Sequence, residues 1–394
     1  MKLTRLSLAA IVAVGALGSF ASATPLEEAI KGVDVTGFAR LRYTHDTLSP
    51  TGGDDNTTEK IRVSGELNIV SPIADGLAFG TTLATDGYNR PDTSASAPTG
   101  DLGIATTTNV LGISDSSGSF YFDKYYFLYT GVQDLAIIAG KYTIPAPWAE
   151  SGFNGNRGNG VVALYSGVKD WTFAGALYLQ TNGFLDTNIL TDGGLGKRNL
   201  YALGTIGKAG PVDLQFWAAS LEKVIDYTAY LNVAFELNGF NARAQVNYLA
   251  THEESPLYPD DSGLFYGIEG GYKNDLFFAT LGYTQTDKDQ PVYALDVDND
   301  GFIKFGQQLY TVTTNTPDVA TIFLKGGATL DKFGVEAGYG FAEQDSRDAE
   351  ASEIYGLVSY QLAPKFGVEL YYSYLEGGDD YENSEIQLQL LYSF

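Results

Sequence analysis

The stretch NSEIQLQLLYSF, residues 383–394, alternates along almost its whole length. Ser384, Ile386, Leu388, Leu390, Tyr392 and Phe394 share one face, while Glu385, Gln387, Gln389 and Ser393 share the other, and only Leu391 breaks the pattern. Side chains of a strand point to opposite sides at a period of two, so this segment reads as a strand with one apolar and one polar face. A strand that is greasy outward, wet inward and finished by an aromatic residue suits the closing strand of a membrane-spanning barrel.

The opposite end agrees. Met1 to Ala23 has Lys2 and Arg5, then the apolar run Leu6 to Phe20, then the small residues Ala21-Ser22-Ala23, which is the layout of a secretory signal with its cleavage site. Beyond it, no run approaches the roughly 20 apolar residues that a spanning helix requires, which excludes a helical membrane protein. Residues 24–394 contain no linker, shift of composition or low-complexity tract, and they read as a single barrel domain. With no cysteine in an exported chain, the fold has to rely on closed hydrogen bonding and burial.

Removal of the signal leaves 22 basic against 48 acidic residues, a net charge of −26, which excludes a nucleic-acid binder. Such a surface concentrates cations and repels anions. The 27 Tyr and 22 Phe against 3 Trp fit two interfacial girdles, with the Tyr hydroxyl at the headgroups.

Period-two patterning and turn chemistry place strands at 33–45, 59–71, 76–87, 119–131, 134–144, 160–168, 170–181, 198–208 and 211–222, and then at 225–236, 239–251, 263–274, 276–286, 318–330, 333–343, 352–363, 365–375 and 383–394. The total is eighteen, an even number, and the connections alternate short and long. Asn238-Gly239, Asn274-Asp275 and Ala363-Pro364 are short; 46–58, 88–118, 145–159, 182–197, 252–262, 287–317, 344–351 and 376–382 are long, and only the link at Lys223-Val224 is unexpectedly tight. The expected fold is therefore all-β, a transmembrane antiparallel β-barrel of about 18 strands with short periplasmic turns and long outer loops. Facing can be read residue by residue: Tyr227, Ala229, Leu231, Val233 and Phe235 toward lipid, and Thr228, Tyr230, Asn232 and Glu236 inward. In the next strand Asn241, Arg243, Gln245 and Asn247 point inward. Eighteen strands enclose an aqueous channel unless an inserted segment fills it.

The opening MKLTRLSLAA, the run ATPLEEAIKGVDVTGFARLRY from Ala23 to Tyr43, DLAIIAGKY from Asp134 to Tyr142, GGYKNDLF from Gly270 to Phe277 and the final LQLLYSF resemble the Campylobacter-type major outer-membrane protein family over essentially the full chain. That resemblance implies an eighteen-stranded trimeric general porin in the cell outer membrane, narrowed by its third outer loop, and an association with calcium. The partners it implies are outer-membrane lipid, lipopolysaccharide, two further copies of the chain and small hydrophilic solutes.

The third long loop, Pro145 to Asn159 (PAPWAESGFNGNRGN), is the segment suited to fold into the lumen, with Glu150 and Arg157 as constriction candidates. Inward Arg40, Arg42, Lys60 and Arg62 of the first two strands form a basic ladder, and acids facing them across the eyelet would set up a transverse field; Arg243 belongs in the same water-filled interior. The bland alternative is that these are solvated lumen side chains without special role. The sharpest local motif is DVDNDGFI, with Asp296, Asp298, Asp300 and Gly301 at the spacing of an EF-hand calcium loop. Its twelfth position is Gln307 instead of Glu, so affinity is expected to be low; the competing reading is an Asx-rich loop bonding its own backbone. His45 and His252, the two histidines, lie at outer strand ends without a Ser partner by motif, and no catalytic residue is expected. The function expected is passive passage of small hydrophilic solutes, cations preferred. A substrate-specific channel of similar build, and a surface adhesin or antigen using the outer loops, stand as alternatives.

Overall fold

A computed structural model describes residues 32–85, 120–153, 155–181, 198–255, 261–292, 294–295, 298–378 and 381–394. The signal segment, the second and fourth long loops and Asp296 lie outside the described residues. Eighteen strands form one sheet: β1 (Asp34–Pro50), β2 (Asn56–Ala74), β3 (Leu77–Thr85), β4 (Phe120–Val132), β5 (Leu135–Thr143), β6 (Arg157–Val168), β7 (Trp171–Thr181), β8 (Leu200–Ala209), β9 (Val212–Leu221), β10 (Ile225–Leu237), β11 (Phe240–Thr251), β12 (Ser262–Lys273), β13 (Phe277–Thr286), β14 (Val319–Leu330), β15 (Phe333–Gln344), β16 (Ala349–Ala363), β17 (Phe366–Gly377) and β18 (Tyr381–Ser393).

Each strand pairs antiparallel with its sequence neighbours, and β1 pairs with β18 from Phe38–Ser393 to Pro50–Tyr381, so the sheet closes on itself. Two more bonds finish the seam, Gly37 N–H to Phe394 O (3.2 Å) and Phe394 N–H to Gly37 O (3.0 Å). Closure leaves no strand edge, which is the condition for a sheet to stand in hydrocarbon.

The facing follows the sequence pattern. On β11, Phe240, Val246 and Tyr248 are exposed on the outer surface while Gln245 and Asn247 are buried, an inversion of a soluble sheet. On β10, Tyr227 and Leu231 are exposed and Thr228, Tyr230 and Asn232 buried. The short turns use left-handed residues: Asn238 (φ 52°) followed by Gly239 (φ 83°) gives the two consecutive positive φ values of a type I′ hairpin, and Asp134, Asp170 and Asp331 take the same region at other turns.

The outer ends differ from the sequence reading. β1 and β2 stay paired past the hydrocarbon layer, with Leu48 opposite Asn56, so the first outer connection shrinks from 46–58 to 51–55. β16 begins at Ala349 and β17 runs to Gly377 for the same reason: antiparallel pairing continues where lipid no longer demands alternation. Arg157, expected in the third long loop, heads β6 and pairs with Thr143.

The lumen is not simply wet. Two buried clusters sit inside the ring, one around Trp148, Tyr230, Phe265 and Phe302, the other around Phe305, Leu309, Phe323, Tyr355 and Tyr371. Both are made by outer loops turned inward onto the wall.

Leu388→Arg, on the lipid face near the middle of β18, is expected to lower unfolding stability in lipid vesicles by about 2–4 kcal/mol. Gln387→Glu, one residue along on the inner face, is expected to cost less than about 1 kcal/mol in the same urea titration.

Candidate pore constriction

Loop 3 joins β5 to β6 and is pinned at three points. Arg157, fully buried at the base, sends Nε and Nη2 to Asp123 Oδ2 of β4 (2.9 and 2.8 Å). Its Nη2 also donates to Gly152 O (2.7 Å) and Nη1 to Asn156 O (3.3 Å), so one guanidinium ties wall, loop tip and loop root together. Within the loop, Glu150 N–H donates to Asn156 Oδ1 and Asn156 N–H to Glu150 O (both 2.8 Å). Trp148 crosses to β11, where its Nε1–H donates to Asn247 Oδ1 (2.8 Å) and its ring meets Tyr230 edge-on. On the third side Phe153 packs edge-on to Phe38 and lies under the Arg40 guanidinium (5.3 Å).

The segment between β13 and β14, loop 6, also folds inward. Its first anchor is the Gly301 carbonyl, which accepts from Tyr230 Oη, Arg243 Nη2 and Gln245 Nε2, each at 2.6 Å. Gln245 Oε1 in turn accepts from Ile303 N–H (2.7 Å). Phe302 then packs on Phe265 of β12, and Phe305 stacks on Phe323 of β14 and against Tyr355 of β16. The second anchor is Glu353 of β16: Oε1 accepts from Gln307 N–H (2.9 Å), and Oε2 from Gln308 and Leu309 N–H (3.2 and 2.9 Å). Gln308 reaches on to Ser373 of β17 and Asn383 of β18. Through side chains reaching in from β10, β11, β12, β14, β16, β17 and β18, residues 301–308 form an inner lining on that half of the ring.

The two loops meet. Asp300 N–H donates to Ala149 O (3.0 Å), Gly301 N–H to Pro147 O (3.1 Å), and Ser151 N–H to Asp300 Oδ2 (2.9 Å). Facing this joint is the β18–β1–β2 wall, whose inward register is Arg40 beside Ser64, Arg42 beside Arg62 and Gln389, and Lys60 beside Thr44. Arg42 donates to Gln389 Oε1 through Nη2 and Nε (2.7 and 3.2 Å), and Gln389 Nε2 donates to Glu369 Oε2 (2.9 Å). Asp46 and Glu385 stand directly opposite each other higher on the same wall.

A sequence model described as Campylobacter major outer membrane protein matches residues 1–389. The chain belongs to the Campylobacter major outer membrane protein family. It is an outer-membrane β-barrel protein. Among solved structures it is similar to Pseudomonas aeruginosa OccK9 (OpdG), at 14% identity and a TM-score of 0.68 over 93% of this chain and 100% of that one. It is similar also to Acinetobacter baumannii OccAB1, at 12% identity and a TM-score of 0.67 over 92% and 97%. P. aeruginosa OpdO matches at 12% identity with a TM-score of 0.65 over 92% and 97%. No curated protein matches the chain. At these identities the solved structures share the eighteen-stranded fold alone with this member of the Campylobacter family.

Within this family member the sequence-selected residues separate into two groups. Arg40, Arg42, Lys60 and Arg62 share the inner wall and Glu150 lies half-buried on loop 3, whereas Arg157 and Arg243 are structural ties: Arg243 donates to Asn232 Oδ1 and Gly301 O and stands 3.6 Å from Glu269. In the DVDNDGFI turn, Asn299 Oδ1 accepts from Phe302 N–H (3.2 Å), an Asx bond, and Lys304 Nζ donates to Asn299 O (2.6 Å). Lys304 fills the ninth position of the calcium pattern, and Gln307 gives its N–H to Glu353, which leaves Asp298 and Asp300 as the described carboxylates of the turn. Among the described residues no group of three or more His, Asp or Glu side chains could hold a metal ion. Glu353 and the aromatic anchors Phe302 and Phe305 are not among the residues selected from the sequence, and Gln245, placed inward there, carried no anchoring role. Their signal was present: large apolar residues at 302, 303, 305, 309 and 312 are out of place in a solvated loop.

Arg157→Met removes both guanidinium bonds from the buried Asp123 carboxylate, which keeps Lys124 Nζ at 3.8 Å, and is expected to cost about 3 kcal/mol in denaturant unfolding. Adding Asp123→Asn is expected to recover more than half of that loss, and a double-mutant cycle measures the coupling.

Proposed function

We propose that this protein is a passive porin that admits small hydrophilic solutes and ions through a water-filled bore narrowed by loops 3 and 6, with cations favoured. The observation that supports this best is the joint at Pro147–Gly301 and Ser151–Asp300, which lies inside a closed barrel and opposite a charged wall. Loop carboxylates at Glu150, Asp298 and Asp300 on one side and Arg40, Arg42, Lys60 and Arg62 on the other produce a transverse field, which orders polar solutes and slows apolar ones. The large acidic excess of the chain concentrates cations at both mouths. Assembly as a homotrimer in lipid and lipopolysaccharide belongs to the same proposal, and cross-linking in native membranes tests it.

A second reading, a channel selective for a charged solute, draws on the Arg42–Gln389–Glu369 chain, which presents alternating donors and acceptors along the wall. The two readings part in one measurement. A general pore gives a single-channel conductance linear in salt, whereas a selective one saturates as its solute occupies the site.

Planar-bilayer recording under a salt gradient is expected to show channels with a reversal potential on the cation side. Arg62→Glu is expected to raise cation preference and Glu150→Lys to lower it, each by roughly two-fold. A calcium chelator is expected to change the current little, because any ion at Asp298 and Asp300 would bind in the weak range. Folded protein that leaves the bilayer silent would overturn the porin reading.

A further inference from the structure

We infer that Glu353 sets the width of the pore by latching loop 6 to the wall, a positioning role that rests on the porin reading above. The carboxylate emerges from the inner face of β16 and is buried beneath the loop. Its two oxygens take the backbone N–H groups of three consecutive residues, Gln307, Gln308 and Leu309, and Tyr371 Oη stands 3.3 Å from Oε1. Three backbone donors converging on one carboxylate fix the path of the chain itself, where a side-chain contact would only decorate it. Hydrogen bonds to a charged acceptor are also roughly twice as strong as neutral ones.

The loop is shaped for this partner. Gly306 has φ +77°, a conformation that disfavours any side chain, and a Cβ built there would collide with Glu353 Oε2. The residue before the latch is therefore glycine for two reasons, backbone and space. Glu353 differs in kind from the other anchor. At Gly301 one loop carbonyl is held by three wall donors, so losing any one leaves two; at the latch three backbone donors depend on a single wall group, with the Gln308 side chain tied separately to Ser373 and Asn383. Releasing it frees Gln307 to Leu309 from β16 and unseats Phe305 from Phe323 and Tyr355 while the Gly301 end stays bound. The Gln308 side chain keeps its bonds to Ser373 and Asn383, so the stretch between Gly301 and Gln308 slackens toward the bore and the liner no longer holds one diameter.

The test uses the full-length protein folded in detergent and reconstituted in bilayers and liposomes. Glu353→Gln keeps the shape but removes one acceptor oxygen and the charge. It is expected to raise single-channel conductance roughly 1.5- to 2-fold, with added flicker, and to admit larger neutral sugars in liposome swelling. Glu353→Asp, which keeps the carboxylate, is expected to fall nearer the wild-type values. Gly306→Ala pushes the latch apart from the loop side and is expected to reproduce the Glu353→Gln phenotype. Should neither variant give the heat-modifiable band of a folded barrel, hydrogen exchange on the wild-type protein decides: the amides of Gln307, Gln308 and Leu309 are expected to be as protected as those of β16. A conducting wild type whose variants keep its conductance and size limit, or exchange at open-loop rates at those three amides, would overturn the latch. A silent wild type would instead overturn the porin reading.

Discussion

Hydrocarbon offers no partner to a backbone N–H or C=O, and an unpaired group there costs several kcal/mol. The seam between β1 and β18 answers that constraint, and the rest of the architecture follows from it. With the ring closed through Gly37 and Phe394, every strand has a neighbour on each side. Residue 37 is crowded from both neighbours: a Cβ there would run into the Glu66 carbonyl of β2 and the ring of Phe394, so glycine lets β1 sit between them. Once the ring is sealed, lipid faces one side of every strand and water the other, and period-two alternation is the sequence's response.

Closure also creates an interior that is neither core nor bulk solvent. A segment entering it loses about 1–2 kcal/mol of backbone freedom per ordered residue and cannot recover that from burial against water. Loops 3 and 6 therefore build small cores of their own, around Trp148 and Phe302 and around Phe305 and Tyr355. Each is held by charged or multiply bonded groups: Arg157 with Asp123, Gly301 with three donors, and Glu353 with three backbone amides. The bore is what remains between these cores and the β18–β1–β2 wall.

The barrel itself was legible because its signal is repeated in every strand. Errors fell at the outer strand ends, where pairing persists beyond the membrane without alternation to mark it, as at Leu48–Asn56 and at Arg157. The inward facing of Tyr230 and Arg243 could be read, but their purpose could not. Period two reports which side a residue faces; whether it meets water or a loop returning from 58 or more positions away is a long-range fact. The DVDNDGFI turn shows the same limit. Its spacing resembles an ion-binding loop, yet in the fold Lys304 and Asn299 bond to the turn's own backbone and Gly301 serves as an anchor.

One trace of the returning loop is nevertheless written in the wall. Beyond Glu336 the inward residues of β15 are Gly338, Gly340 and Ala342, a nearly bare strip where a water-filled tube would carry polar side chains. Cβ atoms at Gly338 and Gly340 would occupy the space of the Phe305 ring, and one at Gly282 of β13 that of Phe323. A glycine in a strand interior sacrifices stability, so a file of them on the water side calls for an occupant. Aromatic residues lying across such glycines restore the lost packing, and here they come from the loop and from the neighbouring strand together. The wall is thus a mould of the segment it holds, with Phe305 filling the strip and Glu353, one strand on, fixing the chain just beyond it.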